Sequence, residues 1–383
     1  MSNEISAELE TYANEHGEPH WLVKRRLDAL EQIESAPEFL KNEQFAPLPL
    51  QAPNKVKLTK ELLNAAHVNE DEVGVYQIGQ STLENTLDED DEDNGVILTD
   101  IFTAFRQHPR LIEGYFLKKL LPQAQDKNSA THMALLNSGL FLYVPKNYQL
   151  QDTVYLNMLQ DSQDDEPLVT HLFVYADEGS SVKVVQRLQT IGEKSNPLDL
   201  IVETLARPKS SINFTAIEDL GPNTQATIRR HTQASRESKV TTNIVSKNLG
   251  QTIERVVTKQ AHKSAQVNTT TNILQSEPQQ TYDWETTLDY KDLEQSKVVQ
   301  TGVGSDLSNV QMHVNALQKD ANDNYLADPI SGAGKITQVI SADESVNQTE
   351  PIADATEKDV FLKAVAESQN EIAVDEINKL FKN

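Results

Sequence analysis

Nine histidines, no cysteine and an acid pair astride a tryptophan are the residues of this 383-residue chain whose types could do chemistry. His16 and His20 stand four apart, the spacing at which two imidazoles can share a helix face and a metal ion. Gly17 and Pro19 lie between them and break the helix, so metal ligation is not expected there. His67, His108, His132, His171, His231, His262 and His313 have no partner at ligand spacing. His313 is the best placed of these for iron, in the last clear strand. Beside Gln311, Val314 and Asn315, however, it reads as a solvated or hydrogen-bonded side chain, and so do His231 and His262. Asp283 and Glu285 flank Trp284 and share one face of a strand, as a glycosidase acid pair would. A solvent-facing edge is the commoner meaning of that pattern.

Two glycine-containing stretches complete the candidates. Gly332-Ala-Gly-Lys-Ile-Thr337 places Ile after the lysine where a phosphate loop needs Ser or Thr, and its upstream glycine is missing. Gly302-Val-Gly304 lacks the third glycine of a dinucleotide fingerprint and follows no strand–helix–strand pattern. We therefore assign no catalytic residue and no metal ligand, and leave cofactor-binding residues open.

The composition narrows what surrounds these residues. Lys and Arg number 34 against 58 Asp and Glu, a net charge of -24, which argues against nucleic acid because phosphate-backbone binding needs clustered cations. Without cysteine the chain has no disulfide, no thiol nucleophile and no cluster held by its own thiolates. No apolar run is long enough for a membrane span and no charged-then-apolar leader opens the chain, so a cytoplasmic protein is expected.

Four regions are expected. Residues 1–135 read as helical and mixed. An amphipathic helix spans about Ser6 to Lys41, the all-acidic run Asp88 to Asp93 is a solvated loop, and two short helices within Leu98 to Leu121 meet near His108-Pro109. From 136 to 320 the pattern changes to short alternating stretches rich in Val, Ile and Thr: 182–188, 201–205, 212–217, 226–232, 239–245, 253–258, 267–274, 282–288, 297–303 and 310–315. Ten strands without helical crossovers exclude a doubly wound sheet. Polar outward positions such as Arg229-Arg230 and the Asn268-to-Asn272 Thr/Asn run favour stacking into a β-helix over a sandwich. Residues 321–355 read as loop with one strand at Lys335 to Ile340, and 356–383 as amphipathic helices opened by a Thr356/Asp359 cap pair.

Several blocks carry a family resemblance. Gly95-Val-Ile-Leu-Thr-Asp100, Ala104 to Ile112 and Tyr115-Phe116 resemble the segment preceding the β-helix in SufB/SufD iron–sulfur cluster assembly proteins. Ala134 to Asn137, Ser138-Gly139 and Phe141-Leu-Tyr-Val-Pro-Lys146 resemble the run at the β-helix entrance, and Phe173 to Gly179 with Ser181-Val-Lys-Val resembles a turn between core strands. The resemblance implies a mostly β protein, a right-handed parallel β-helix with helical ends. It also implies a SufD-like scaffold subunit rather than an enzyme, paired with a SufB-like subunit and a SufC-like ATPase, with any iron–sulfur cluster at a partner interface. A homodimer is open when the chain is alone. Family members carry a His or Cys in a Ser-His-Gly-Ala-type turn before the last helices. Here no histidine follows His313, so no cluster ligand carries over. A divergent, non-catalytic solenoid and a β-helix carbohydrate enzyme are the rival readings. The second would need an export signal and aromatic sugar platforms, against 6% aromatics.

Overall fold

The computed structural model describes residues 2–39, 48–54, 57–66, 69, 72–161, 166–194, 196–277, 280–304, 307, 310–318, 325–326, 334–343, 345–352, 356–367 and 370–381. Among these, the amino-terminal part comprises α1 (Ser2–Glu15), α2 (His20–Gln32), α3 (Lys60–Ala65), β1 (Gly74–Ile78), β2 (Ser81–Asn85), α4 (Glu89–Asp93), β3 (Ile97–Asp100), α5 (Ile101–Gln107), α6 (Pro109–Ile112) and α7 (Lys127–Leu135). The strand ladder follows as β4 (Ser138–Val144), β5 (Gln149–Asp161), β6 (Leu168–Ala176), β7 (Ser181–Ile191), β8 (Pro197–Ala206), β9 (Ser211–Asp219) and β10 (Gln225–Ala234). It continues as β11 (Lys239–Ser246), β12 (Gln251–Gln260), β13 (Gln266–Gln275), β14 (Thr281–Asp289), β15 (Ser296–Gly304), β16 (Val310–Leu317), β17 (Tyr325–Leu326), β18 (Gly334–Ile340) and β19 (Ser345–Glu350), before α8 (Glu357–Glu367) and α9 (Glu371–Leu380).

From β4 to β16 successive strands alternate between two sheets. One runs β19-β18-β15-β13-β11-β9-β7-β5-β1-β2 and the other β17-β16-β14-β12-β10-β8-β6-β4-β3. From β5 to β16 each neighbour within a sheet is parallel, so the chain winds a parallel β-solenoid, the fold expected from the strand pattern. All ten strands read from the sequence are present. Their inward side chains, among them Val184, Leu200, Ile228, Val256, Trp284 and Val314, form one continuous core between the sheets. Burying a row of this kind stabilises by roughly 1.5–3 kcal/mol per large side chain.

The turns between β4 and β5, β6 and β7, β8 and β9, and β10 and β11 repeat one geometry. Tyr148, Ser180, Ser210 and Ser238 each donate their N–H to the carbonyl three residues back, at 3.1 Å. The residue before each has positive φ: Asn147 (62°), Gly179 (70°), Lys209 (64°) and Glu237 (59°). Such a turn suits glycine, and only Gly179 supplies one. Lys209 and Glu237 bear the left-handed cost of about 1–2 kcal/mol, partly offset by glycine's greater unfolded entropy of about 0.5–1 kcal/mol. Glu237→Gly is therefore expected to stabilise by about 0.5–1 kcal/mol, read as a higher urea midpoint at unchanged slope.

Three expectations are corrected. The long first helix is two, α1 and α2, broken at Gly17 (φ 62°) and Pro19. The acidic run is not a loop but the single-turn α4. Asp88 caps it by accepting from the Asp90 N–H, the negative charges sit at its amino end where the backbone dipole favours them, and Asp91 accepts from the Tyr148 hydroxyl at 2.5 Å. Residues 98–100 of the stretch read as helix belong to the strand β3, although the joint at His108-Pro109 stands between α5 and α6 as expected. The strand expected at 335–340 is β18, and β19 pairs with it antiparallel. Thr356 and Asp359 do cap α8, each accepting from the other's backbone N–H.

The helices cover opposite faces. Ile101, Phe105, Phe116 and Leu117 pack on Phe173, Ile201 and Leu205, outside the sheet that contains β6 and β8. Phe361, Val365, Ala373 and Ile377 pack on Ile217, Val245, Leu274 and Val303, outside the other sheet.

Candidate functional site

Alternation along β10 sends Arg229 and Arg230 to opposite faces, correcting the reading of both as outward. Arg230 crosses the interior to the other sheet. Its Nη2 donates to Glu218 at 2.6 Å, Nε to Glu254 at 2.7 Å and Nη1 to Gln186 at 2.7 Å, while Phe214 lies 5.9 Å beneath the guanidinium. All are buried. Asn248 donates to the second Glu218 oxygen at 3.0 Å. Two carboxylates thus face one guanidinium inside the solenoid. Burial, with the Glu218 charge beside it, pushes the Glu254 carboxyl well above its usual range. Beyond this centre the interior keeps polar atoms without a protein partner among the described residues, including Thr271 Oγ1, Thr286 Oγ1 and both amide atoms of Gln300. Thr269 and Thr271, two of the Thr/Asn run taken as outward, also point inward.

A second polar cluster lies between the amino-terminal helices and the outer face of β6, β8 and β10. His132 Nδ1 meets Asp199 Oδ1 at 2.5 Å, His132 Nε2 meets His171 Nδ1 at 3.3 Å, and His171 Nε2 faces Glu203 Oε2 at 3.3 Å. Glu203 Oε2 also accepts from the Leu117 N–H at 2.8 Å. The four side chains are essentially without solvent contact. Burial raises the Glu203 carboxyl to about 8, against the pull of the Leu117 backbone and Arg25. Burial lowers the His171 imidazole well below its ordinary value, helped by the neighbouring His132 and Arg25, and takes His231 to about 3 with the aid of Arg229. Spacing rules could not find this group, because its partners lie 39 and 67 residues apart in sequence and meet only through the fold.

The remaining candidates stay apart from both clusters. His16 ends the first helical segment, its Nδ1 2.9 Å from the Tyr12 carbonyl, and His20 opens α2 beyond the break. His262 bonds Ser264 in an exposed turn at 2.8 Å. His313 sits on the outward face of β16, in register with Glu285. Asp283 and Glu285 are outward on β14 and face Arg255 at 2.8 and 3.7 Å, while Trp284 between them is core. Gly302 and Gly304 face the interior, where an added methyl would meet Met312 Sδ at 2.6 Å and Leu307 Cδ2 at 2.7 Å, so close packing explains them. His67 and Gly332 lie outside the described residues. Among the described residues no group of three or more His, Asp or Glu is placed to hold a metal ion, and no helix is long and apolar enough to cross a membrane.

β19 is the last strand of its sheet, pairs on one side only, and is almost wholly exposed. On the covered face, Arg187 joins three parts of the chain. It donates to Glu376 of α9 at 2.6 Å, to Glu72 at 2.5 Å and to Asn157 at 3.0 Å, and it lies 4.5 Å from the Tyr155 ring.

Comparison with known proteins agrees with this architecture. Residues 158–320 match the family described as SUF system FeS cluster assembly, SufBD core domain, and 68–156 match the SufBD protein N-terminal region. The iron–sulfur cluster assembly protein SufD of Bacillus subtilis is 30% identical over 279 residues, 65% of this chain and 60% of that protein. A SufBD family protein of Staphylococcus saprophyticus is 24% identical over 57% of this chain and 51% of its own length, and one of Pyrococcus horikoshii 28% over 48% and 45%. The chain thus spans about half to three-fifths of the length of these relatives. With both family regions matched in order across a continuous parallel solenoid, the chain belongs to the SufBD family of iron–sulfur cluster assembly proteins.

Proposed function

We propose that the chain is a SufD-like, non-enzymatic scaffold subunit that pairs with a SufB-like subunit and a SufC-like ATPase and supports cluster assembly without owning the cluster. The observation that carries this reading is the match to both SufBD regions across residues 68–320, together with the likeness to a SufD protein. The sequence contains no cysteine, so thiolates for an iron–sulfur centre come from a partner. The open edge of β19 supports the pairing. It offers backbone N–H and C=O groups to a strand of another subunit, a recurring way for a sheet to recruit a partner chain. Its polar sequence, Ser-Val-Asn-Gln-Thr-Glu, limits indiscriminate self-association. The cytoplasm, where thiols stay reduced, is the compartment that suits such chemistry.

Anaerobic co-purification of the tagged chain from its host, with iron and sulfide assays, tests the function. A SufB-like subunit, an ATPase and labile iron and sulfide are the expected companions; recovery of the chain without them overturns the scaffold reading. Asn347→Pro and Gln348→Pro test the edge. Alternate N–H groups of an edge strand face outward, so one substitution of this neighbouring pair is expected to cut recovery of the strand-pairing partner at least tenfold while the fold survives. If both leave recovery unchanged, pairing does not use β19.

A further inference from the structure

The buried cluster under the amino-terminal helices is a chain of donors and acceptors closed off from water. Asp199 at one end only accepts, so His132 gives it the Nδ1 proton. His132 Nε2 is then an acceptor and takes the Nδ1 proton of His171. His171 Nε2 is in turn an acceptor, and it faces the Glu203 carboxyl, which as a carboxylate is also acceptor only. Two bare acceptors at 3.3 Å in a dry site repel, and His171 Nε2 has no hydrogen-bond partner among the described residues, so with both imidazoles neutral the Glu203 carboxyl is the group whose proton relieves the contact.

The chain joins two bodies. His132 lies on α7, and the Leu117 N–H that Glu203 accepts belongs to the turns after α6, whereas His171, Asp199 and Glu203 stand on β6 and β8. From the other packed elements the facing charged or titratable groups are Arg25 of α2, Arg229 and His231 of β10, and Asp126 at the α7 cap. Arg25 donates to the Phe116 and Leu117 carbonyls at 2.8 and 3.0 Å, and Arg229 pairs with Asp126 at 2.8 Å. His231 is in strand register with Glu203, and its Nε2 has no partner among the described residues.

We propose that the Asp199–His132–His171–Glu203 chain is a proton-operated latch for the amino-terminal helical lobe, closed while Glu203 holds its proton and His171 and His231 hold no second one. The signs follow from the two kinds of group. For Glu203, whose folded value is raised from 4.5 to about 8, the stabilisation is complete below 4.5 and is lost as pH climbs through 8. His171 and His231 are lowered from 6.5, so their contribution is complete above 6.5 and is lost on acidification. Between 6.5 and 8 only Glu203 acts, and lobe opening rises about tenfold per pH unit. Below 6.5 the two histidines outweigh the one carboxyl and opening rises again, by about tenfold per unit of falling pH. The latch is tightest near pH 6.5 and most responsive around neutrality.

Hydrogen exchange of the full chain, corrected for intrinsic rates, tests this by comparing residues 111–135 with the control strand β13, which carries no titratable side chain. In the native chain the opening of 111–135 is expected to show a minimum near pH 6.5 while the control stays level. In Glu203→Gln the alkaline limb should vanish and the acid limb steepen to about a hundredfold per unit. A level profile in the native chain, or an unchanged alkaline limb in the variant, overturns the proposal. If Glu203→Gln does not fold, infrared titration of the native chain decides. Measured with Glu254→Gln as well, to remove the other raised carboxyl, the latch requires one buried carboxylic acid band that persists at pH 7 and disappears across pH 8, and its absence at pH 7 sinks it.

Discussion

Arg230→Met is expected to lower stability by roughly 3–5 kcal/mol, the penalty for stranding buried charge once its partner is removed. Glu218 and Glu254 would then face each other in the solenoid interior without the guanidinium that both now contact at 2.6 and 2.7 Å. The damage should ease as pH falls, because Glu254 can neutralise itself by taking up a proton. Replacing all three groups together, as Arg230→Met with Glu218→Gln and Glu254→Gln, is expected to restore most of the loss, since an apolar or uncharged replacement of a whole buried cluster is often neutral. Guanidinium denaturation of the single and triple variants at pH 7 and pH 5 makes the comparison. Equal loss in single and triple variants would show that packing, not charge, governs the site.

Arg26→Met is expected to be as costly, but only locally. Arg26 is completely enclosed; it donates to both Glu18 oxygens at 2.7 and 2.6 Å and to the carbonyls of Ala134 and Leu136 at 2.9 and 2.7 Å. It therefore binds α2 to the break after α1 and to the end of α7. Its removal leaves a buried carboxylate and two carbonyls unsatisfied, again roughly 3–5 kcal/mol. Arg26→Lys should recover only part of this, because a compact ammonium cannot reach four acceptors set around a planar fork. Limited proteolysis should then cut within residues 2–32 and 109–135 while the strands from β6 to β16 resist. Uniform digestion would mean that lobe and solenoid unfold as one unit.

These two arginines show which parts of the molecule the sequence reveals. Period-two alternation of Val, Ile and Thr marks every strand from β7 to β16, because burial in a stacked sheet is a local property of each strand. The direction of a polar residue in such a strand is not local. Arg230 looked like surface because arginines usually are, and only the partners on the opposite sheet make an interior position tolerable. The same holds for His132 and His171, which need the helical lobe folded over β6 before they meet. α7 was missed although Asp126 and Ser129 form a reciprocal cap, since its face is almost wholly buried and shows no polar stripe. The acidic α4 was hidden by its own repulsion and is held by Asp88 and Tyr148, one of them 57 residues from Asp91.

The winding itself sets a length scale. Each turn advances the chain by one inter-strand spacing, about 4.8 Å, and adds one strand to each sheet. The helical lobe rests on strands near one end, and the open edge of β19 lies at the other. The number of turns is therefore a ruler. Because strand pairing runs only between adjacent turns, inserting or deleting a whole turn would move the β19 edge in steps of one strand width. Divergence within such a scaffold can proceed by whole-turn increments, with reach as the quantity that changes and the chemistry at either end untouched.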